Sequence, residues 1–494
     1  MVFVKKLSSL LNNKVDDNET NWLSIYIASV LAFSASVQCS LYFSSMWPFM
    51  TVLDSNASST FFGYAIASYS VGNIILSPLF GWWSNKTGTI KPPVYFGLYA
   101  QLLGNFIYMN LEWFPVGAKY GMIVARLFTG IGSATITLFK AYGASGSSIK
   151  DRSIAIAYIT SGVAIGLAIG PVFNLLFTPI GYPGFTFLGI KFNMYTLPAI
   201  GSVITNAISI IIMKYLFIEH YAGVANKDGK ESENYQIIPK YDKIAVFVIF
   251  ATRFCQFFVF TNLEALNSPI SLMIFGWTKK QSITILSISQ GFLGLSAFIV
   301  YFIYIIFKLD RFIKYRLNCI GGILCLLIFH IITFSYPFLP KVITYHSLNI
   351  TNNDTEVIGC DIDMYPWCEY ITKMNPWIYL ISFSIIVGMG FPIINIAMNT
   401  LFSKILGPRR QGTQQGFMQM FGGCGQLIGP IVTSTIYTNF GPRYVWITEI
   451  IFITLTISLW LIFFKRMVPL KFGNNKVSDI NKKNSCKITK KDIM

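Results

Sequence analysis

Residues 244–266 read IAVFVIFATRFCQFFVFTNLEAL. This stretch is apolar except for Arg253, Glu264 and a few neutral polar side chains. A helix of about 20 apolar residues crosses the hydrocarbon core of a bilayer, whereas a surface helix of a soluble protein keeps a polar face. The stretch therefore predicts a membrane-spanning helix with a positive charge near its middle.

Segments of this kind recur along the chain of 494 residues. Hydrophobic residues make up 53% of the sequence and charged residues only 12%, too few to cover a water-soluble surface. Working outward from 244–266, we predict an all-α membrane protein with twelve transmembrane helices. They are placed at 22–47, 60–83, 93–112, 119–142, 153–178, 193–218, 244–266, 281–307, 315–339, 376–403, 413–438 and 443–466.

The basic residues fall mainly on one side of these predicted helices. The chain has 38 Lys and Arg residues and a formal net charge of +17, which by itself would suit a nucleic-acid partner. Most of them instead lie in loops and tails on the side of the N-terminus. Because cytoplasmic loops of membrane proteins are enriched in Lys and Arg, both termini are predicted to be cytoplasmic. The expected partner is the lipid bilayer, with no nucleic acid.

A polar stretch, 219–243, divides the predicted helices six and six. The predicted organisation is a cytoplasmic N-terminal tail (1–21), a six-helix bundle (22–218), a cytoplasmic linker (219–243), a second six-helix bundle (244–466) and a basic cytoplasmic tail (467–494).

The fifth predicted helix of each bundle carries a similar motif. Residues 166–171 read GLAIGP and residues 425–430 read GQLIGP. Glycines four apart let helices approach closely, and a following proline removes a backbone hydrogen bond and permits a bend. Ordinary close packing explains either motif alone, whereas the pair at matching positions favours an internal repeat. The predicted bend residues are Gly166, Gly170, Pro171, Gly425, Gly429 and Pro430.

Two more motifs point to a known family. The turn after the second helix reads GWWSNKTG, residues 81–88, and the fourth helix carries Arg126 followed by Gly130 and Gly132. Both resemble motifs of the major facilitator superfamily, in which the fifth position of the turn is usually Asp. Here Asn85 takes that place. The resemblance implies two six-helix bundles with transport between them, and a gating function for Gly81, Asn85, Lys86, Gly88, Asp310 and Arg311.

Longer stretches narrow the resemblance. Residues 61–85, 193–199, 403–412 and 438–446 are similar to lysosomal members of the superfamily. The resemblance implies a lysosomal or late endosomal membrane and an activity of chloride permeation. The residues themselves leave open which small solute or anion is moved and whether protons are coupled to it.

A few polar side chains inside predicted helices are candidates for the translocation pathway. An ionisable group in the hydrocarbon core is costly unless it meets a partner or water, so such groups often mark a path. Along the seventh helix, Arg253, Gln256 and Glu264 lie on one stripe. A structural ion pair is the alternative for the arginines, and hydrogen-bonded packing is the alternative for His330 and the asparagines. The predicted pathway residues are Arg126, Arg253, Gln256, Glu264, His330, Asn395 and Asn399.

The loops opposite the basic side carry features of an oxidising compartment. Cys360 and Cys368 share one loop and are predicted to form a disulfide. N-glycosylation is predicted at Asn56, Asn349 and Asn353.

Three functions are consistent with this sequence. Alternating-access transport of a small solute or anion is the leading hypothesis. A chloride-permeable channel on the same fold and a non-transporting membrane scaffold or receptor are the alternatives. No Ser, His and acid arrangement, metal-ligand spacing or phosphate loop lies outside the helices, so an enzyme, a cofactor and a metal site are not expected.

Overall fold

The computed structural model describes residues 19–42, 45–54, 59–113, 117–148, 150–187, 190–222, 239–309, 314–345, 359–363 and 365–470. Helices occupy all twelve predicted positions. They are α1 Trp22–Ser40, α2 Ser59–Thr87, α3 Lys91–Met109, α4 Ala118–Ser145, α5 Arg152–Leu175, α6 Thr196–Tyr215, α7 Lys243–Pro269, α8 Lys279–Ile306, α9 Tyr315–Ile332, α10 Pro376–Leu406, α11 Gly412–Phe440 and α12 Pro442–Ile462. Helix α4 is interrupted at Ala134, and α10 contains a π-helical turn, Phe383–Val387.

Nine helices in the described part of the chain are long and apolar enough to cross a membrane. The other three predicted positions are those of α2, α3 and α11. Their sequences are less apolar because they bury polar side chains against other helices, for example Asn73 in α2, Asn105 in α3 and Gln415 in α11. Membrane crossing by all twelve stays a prediction.

Helices α1 and α9 each end seven residues earlier than predicted. Helix α1 ends at Ser40 rather than at residue 47, and a separate short helix, Met46–Leu53, follows it. Helix α9 ends at Ile332 rather than at residue 339, because Pro337 and Pro340 cannot continue the helical hydrogen bonds. Hydropathy alone merged each helix with the apolar residues that follow it.

The helices form two bundles of similar construction. In the first, α1 packs on α5 and α3 on α4 and α6; in the second, α7 packs on α11 and α9 on α10 and α12. Between the bundles, α2 packs on α11 and α5 packs on α8. The second helix of each half thus contacts the fifth helix of the other, as an internal repeat would produce.

The glycines of the repeated motif lie where α5 meets α1 and where α11 meets α7. A methyl group added at Gly166 would lie 2.6 Å from the Phe33 carbonyl oxygen, and one added at Gly425 would lie 2.6 Å from that of Phe254. Both glycines therefore serve close backbone approach. Helices α5 and α11 continue through Pro171 and Pro430, so a hinge at these prolines stays a prediction.

Four short strands lie at one end of the bundles. Strands β1 (Phe185–Phe187) and β2 (Ile190–Phe192) form an antiparallel hairpin between α5 and α6, and β3 (Thr344–Tyr345) pairs in parallel with β4 (Cys360–Asp361). Cys360 and Cys368 are joined by a disulfide, with Cα atoms 5.8 Å apart. We call this the Cys360 end and the opposite one the Asn85 end. The predicted glycosylation residues Asn56, Asn349 and Asn353 lie outside the described residues.

Candidate translocation pathway

Arg253 lies in the wall that the second bundle presents to the first. It is the eleventh residue of α7, roughly 15 Å from the helix start at 1.5 Å per residue, and its side chain is 2% exposed. Its Nη1 donates to Gln256 Oε1 at 2.9 Å and to Asn395 Oδ1 of α10 at 2.6 Å. These acceptors are neutral, so they orient the guanidinium without cancelling its charge.

The same stripe of α7 continues toward the Cys360 end. The Phe260 ring lies 4.6 Å from that of Phe391 on α10. Glu264 follows one helical turn later, and its side chain is exposed. Asn399 is buried and donates from Nδ2 to the Asn395 backbone oxygen at 2.6 Å. Gln256 and Asn395 are thus brought together at Arg253, with Asn399 one turn further along α10. Glu264 lies eleven residues further along α7.

Arg126 is the corresponding buried cation of the first bundle. Its side chain is 1% exposed, and its guanidinium stacks at 4.6 Å on the ring of Tyr69 and at 5.9 Å on that of Tyr42. Its Nε and Nη1 have no hydrogen-bond partner. Cation–π contacts stabilise the charge but leave these donors free for an acceptor.

Arg126 and Glu264 approach the same region from opposite bundles. Cys39 of α1 contacts Tyr69 and lies within electrostatic reach of both Arg126 and Glu264. Among the residues the structure describes, neither Arg126 nor Glu264 forms an ion pair. Arg126 and Glu264 therefore share Cys39 as a neighbour and are not joined to each other.

Lys140 is a third buried cation, and sequence reasoning missed it. It lies in α4 toward the Asn85 end, with 7% of its surface exposed. Its separation of fourteen residues from Arg126 was the available signal, because fourteen residues make nearly four full turns and return to almost the same face. Lys140 lies within electrostatic reach of Arg253.

Tyr301 of α8 connects this region to the first bundle. Its hydroxyl contacts the side chains of Asn395 on α10 and Thr160 on α5, and it lies within electrostatic reach of Arg253. Polar side chains therefore lie close together from Arg253 through Asn395 and Tyr301 toward α5 of the first bundle.

The predicted gating turn closes the two bundles against each other at the Asn85 end. Asn85 Nδ2 donates to Thr413 Oγ1 at 2.8 Å, and its Oδ1 accepts from the Gly412 N–H at 3.1 Å. Gly88 has a φ of +76°, which glycine adopts readily, and its carbonyl accepts from Arg410 Nη1. Gly81 approaches Gly412 so closely that a Cβ on it would overlap the Gly412 carbonyl.

The other predicted gating residues contribute less to this contact. The Lys86 ammonium lies over the Trp82 ring at 5.0 Å, within its own helix. Asp310 and Arg311 lie outside the described residues. Farther along the interface, a methyl group on Gly416 would lie 2.5 Å from the Ser77 backbone carbonyl oxygen, so α2 and α11 remain in backbone contact there.

His330 lies away from the other candidates, inside the second bundle. Its Nε2 contacts Glu449 Oε2 of α12, and its Nδ1 lies 2.7 Å from the Leu326 carbonyl oxygen. The side chains of His330 and Glu449 are 0% and 1% exposed. Glu449 was also missed, although an acid in the apolar run of α12 is the same kind of signal that identified Arg253.

A family model described as the Major Facilitator Superfamily matches residues 27–346 and 365–489. The chain belongs to the major facilitator superfamily. It is 29% identical to "Major facilitator superfamily domain-containing protein 8" of Xenopus laevis, over 91% of this chain and 92% of that protein. It is 23% identical to "Multidrug resistance protein 1" of Bacillus subtilis (strain 168), over 81% of this chain and 87% of that protein.

Solved structures of the superfamily share the fold. The human organic anion transporter MFSD10 (TETRAN) matches with a TM-score of 0.59 and 12% identity, covering 89% of this chain and 97% of its own. The transporter FucP in the outward conformation matches with a TM-score of 0.62 and 12% identity, covering 90% and 98%. This major facilitator protein is therefore an integral membrane transporter of some solute, as the sequence motifs predicted.

Proposed function

We propose that this protein moves a small anion across its membrane by alternating access between the two bundles. The observation that carries the proposal is the set of three cations, Arg126, Lys140 and Arg253, buried without an ion-pair partner among the described residues.

Elementary electrostatics supports an anion as the substrate. Removing a charged side chain from water is costly unless an opposite charge or a ligand compensates it. Positive groups that line an otherwise neutral path attract anions and repel cations, which is how anion pores and carriers achieve selectivity. Glu264 is the one carboxylate that the described part of the stripe on α7 carries, so positive charge predominates there.

Chloride is the first anion to test. The resemblance of residues 61–85 and 403–412 to lysosomal members of the superfamily implies chloride permeation and a lysosomal or late endosomal membrane. The human organic anion transporter MFSD10 has the same fold, so small organic anions are the second class to test. We propose that Glu264 couples proton movement to transport, because it is exposed and faces the region of Arg126.

Closure at the Asn85 end supports a carrier over an open pore. The contacts of Asn85 with Gly412 and Thr413 are neutral hydrogen bonds, and such bonds contribute about 0.5–1.5 kcal/mol each. Contacts of this size close one end of the molecule and still break at moderate cost, as alternating access requires.

The test is chloride flux into vesicles that contain the purified full-length protein. We expect flux that depends on the chloride gradient, saturates with chloride concentration and is absent when gluconate replaces chloride. Saturable flux without measurable conductance identifies a carrier. Unitary currents in a bilayer recording would identify a channel instead. No flux of chloride or of small organic anions would contradict the proposal.

Glycan mapping tests the proposed orientation, with both termini in the cytoplasm. We expect glycans at Asn56, Asn349 and Asn353 and none at Asn18 or Asn85, which also lie in acceptor tripeptides. The Asn85 amide is already engaged by Thr413 and Gly412. A glycan on Asn85 in the native protein would contradict both the orientation and the closed contact.

A further inference from the structure

We propose that a small anion binds between Lys140 of α4 and Arg253 of α7 and joins the two bundles in the conformation closed at the Asn85 end. This inference rests on the proposed anion transport and assigns it a specific site. Lys140 belongs to the first bundle and Arg253 to the second. An anion between them would therefore contact both halves of the transporter at once.

Arg253 is held ready for such a ligand. Its Nη1 is committed to Gln256 and Asn395, whereas its Nε is buried and has no partner. Gly422 lets the Arg253 side chain lie close against α11, since a methyl group added at Gly422 would lie only 3.2 Å from Arg253 Cγ. The Phe257 ring covers the guanidinium at 4.3 Å. The guanidinium is therefore fixed in place and retains a free donor.

Lys140 approaches from the opposite bundle. The half of α4 that carries it, Thr135–Ser145, packs against α11 of the other half. Lys140 as a whole residue is 7% exposed, and it forms no ion pair with a described residue. Two like charges in a poorly hydrated interior repel each other more strongly than they would in water. An anion between Lys140 and Arg253 replaces that repulsion with two charge-assisted contacts.

The neutral groups nearby limit the kind of anion. Tyr301 contacts Asn395 and Thr160, so its hydroxyl stands between the bundles beside Arg253. A site made of one ammonium, one guanidinium and neutral hydroxyl or amide groups suits a small anion with one or two negative charges, such as a halide. A ligand with several negative charges would exceed the two available cations.

Anion binding should then favour one conformation. The contacts of Asn85 and Arg410 at the closed end are made with neutral groups. An anion held by both bundles adds a charged link to that same closed arrangement. A ligand that binds one conformation better shifts the population toward it.

The experiment measures the apparent melting temperature of the purified full-length protein in sodium chloride and in sodium gluconate at equal ionic strength. For the unsubstituted chain we expect chloride to raise the melting temperature by several degrees, because a ligand that binds only the folded state stabilises it. Lys140→Met should lose this shift, and Lys140→Arg should keep most of it. Lys214→Met is the control, because Lys214 is exposed on α6, and it should respond like the unsubstituted chain.

Hydrogen exchange measured on the unsubstituted chain tests the same anion site even if Lys140→Met does not fold. Chloride should slow exchange both in residues 135–145 and in residues 250–256. Protection of one segment alone, or an unchanged chloride shift in folded Lys140→Met, would overturn the bridge. If chloride flux persists in that case, the proposed function stands without the bridge. If the unsubstituted chain shows neither flux nor a chloride shift, both proposals fail.

Discussion

Two buried ionic groups in this molecule are arranged in opposite ways. In the second bundle, His330 and Glu449 are joined directly and sealed from solvent. Between the bundles, Arg253 and Lys140 lie near each other with the same charge and no acid partner among the described residues. The charges of His330 and Glu449 neutralise each other within one bundle. The charges of Arg253 and Lys140 are neutralised only if a further group or ligand supplies negative charge.

The proton arrangement of the pair follows from its contacts. The Leu326 carbonyl can only accept a hydrogen bond, so Nδ1 of His330 carries a hydrogen. The contact between Nε2 and Glu449 then needs one shared proton, and the pair is neutral in total whichever atom holds it. We infer that the His330–Glu449 pair holds α9 to α12, whereas Arg126, Lys140 and Arg253 serve the solute.

Removing one member of the neutral His330–Glu449 pair should have the largest effect on folding stability. Glu449→Ala leaves His330 buried without its partner and should cost about 3–5 kcal/mol of folding stability. The measurement is the loss of folded protein in detergent on heating. Glu449→Gln, which can still donate to Nε2, is the control and should cost much less. Equal stability of Glu449→Ala and the unsubstituted protein would remove the structural role.

Arg253→Met tests the opposite member of the comparison. Because Arg253 has no acid partner that its removal would leave unpaired, the variant should fold. Chloride flux in vesicles should fall at least about tenfold, which corresponds to roughly 1.4 kcal/mol in the transport barrier. Arg466→Met is the control, since Arg466 is half-exposed and only 3.7 Å from Asp242 in a surface pair. If Arg253→Met unfolds and its folded fraction keeps normal flux, Arg253 has a structural role, as proposed for His330.

Gly425→Ala disturbs the packing of α11 on α7 beside Arg253 without changing any charge. The added methyl group would lie 2.6 Å from the Phe254 carbonyl, so α7 and α11 must move apart, at about 1–3 kcal/mol. Gly321→Ala is the matched control, because nothing lies within 4 Å of a Cβ there. The melting temperature should fall for the first and stay level or rise for the second. The reverse order would contradict the packing of α7 on α11.

Asn85→Ala should have the smallest effect. It removes two neutral hydrogen bonds, to Thr413 and Gly412, and so about 0.5–1.5 kcal/mol per bond from the closed arrangement. Hydrogen exchange of the Gly412 region should become faster, with little loss of overall stability. Asn85→Asp keeps an acceptor for the Gly412 N–H and should exchange more slowly than Asn85→Ala. Unchanged exchange in both variants would show that Asn85 does not hold the bundles together.

Much of the fold could be predicted from the sequence. Apolar length placed all twelve helices, and the motifs at 81–88 and 126–132 pointed to the superfamily. Helix ends such as those at Ser40 and Ile332 could not be placed, because apolar residues continue beyond them into non-helical structure.

The candidate site was predictable only in part. Arg126 and Arg253 stood out because apolar residues surround them, and the stripe on α7 placed Gln256 beside Arg253. Lys140 lay close enough to a helix end to pass as a surface residue. The pairing of His330 with Glu449 joins positions 119 residues apart, and no local pattern reports such a contact.

Two variants in the same vesicle assay separate the role of the unpaired cations from that of the His330–Glu449 pair. Chloride flux per folded molecule is measured for Arg253→Met and for Glu449→Gln, with equal amounts of protein in the vesicles. If unpaired cations serve the anion and the paired charges serve the fold, Arg253→Met loses flux and Glu449→Gln keeps it. Preserved flux in Arg253→Met, or loss only in Glu449→Gln, would contradict the account.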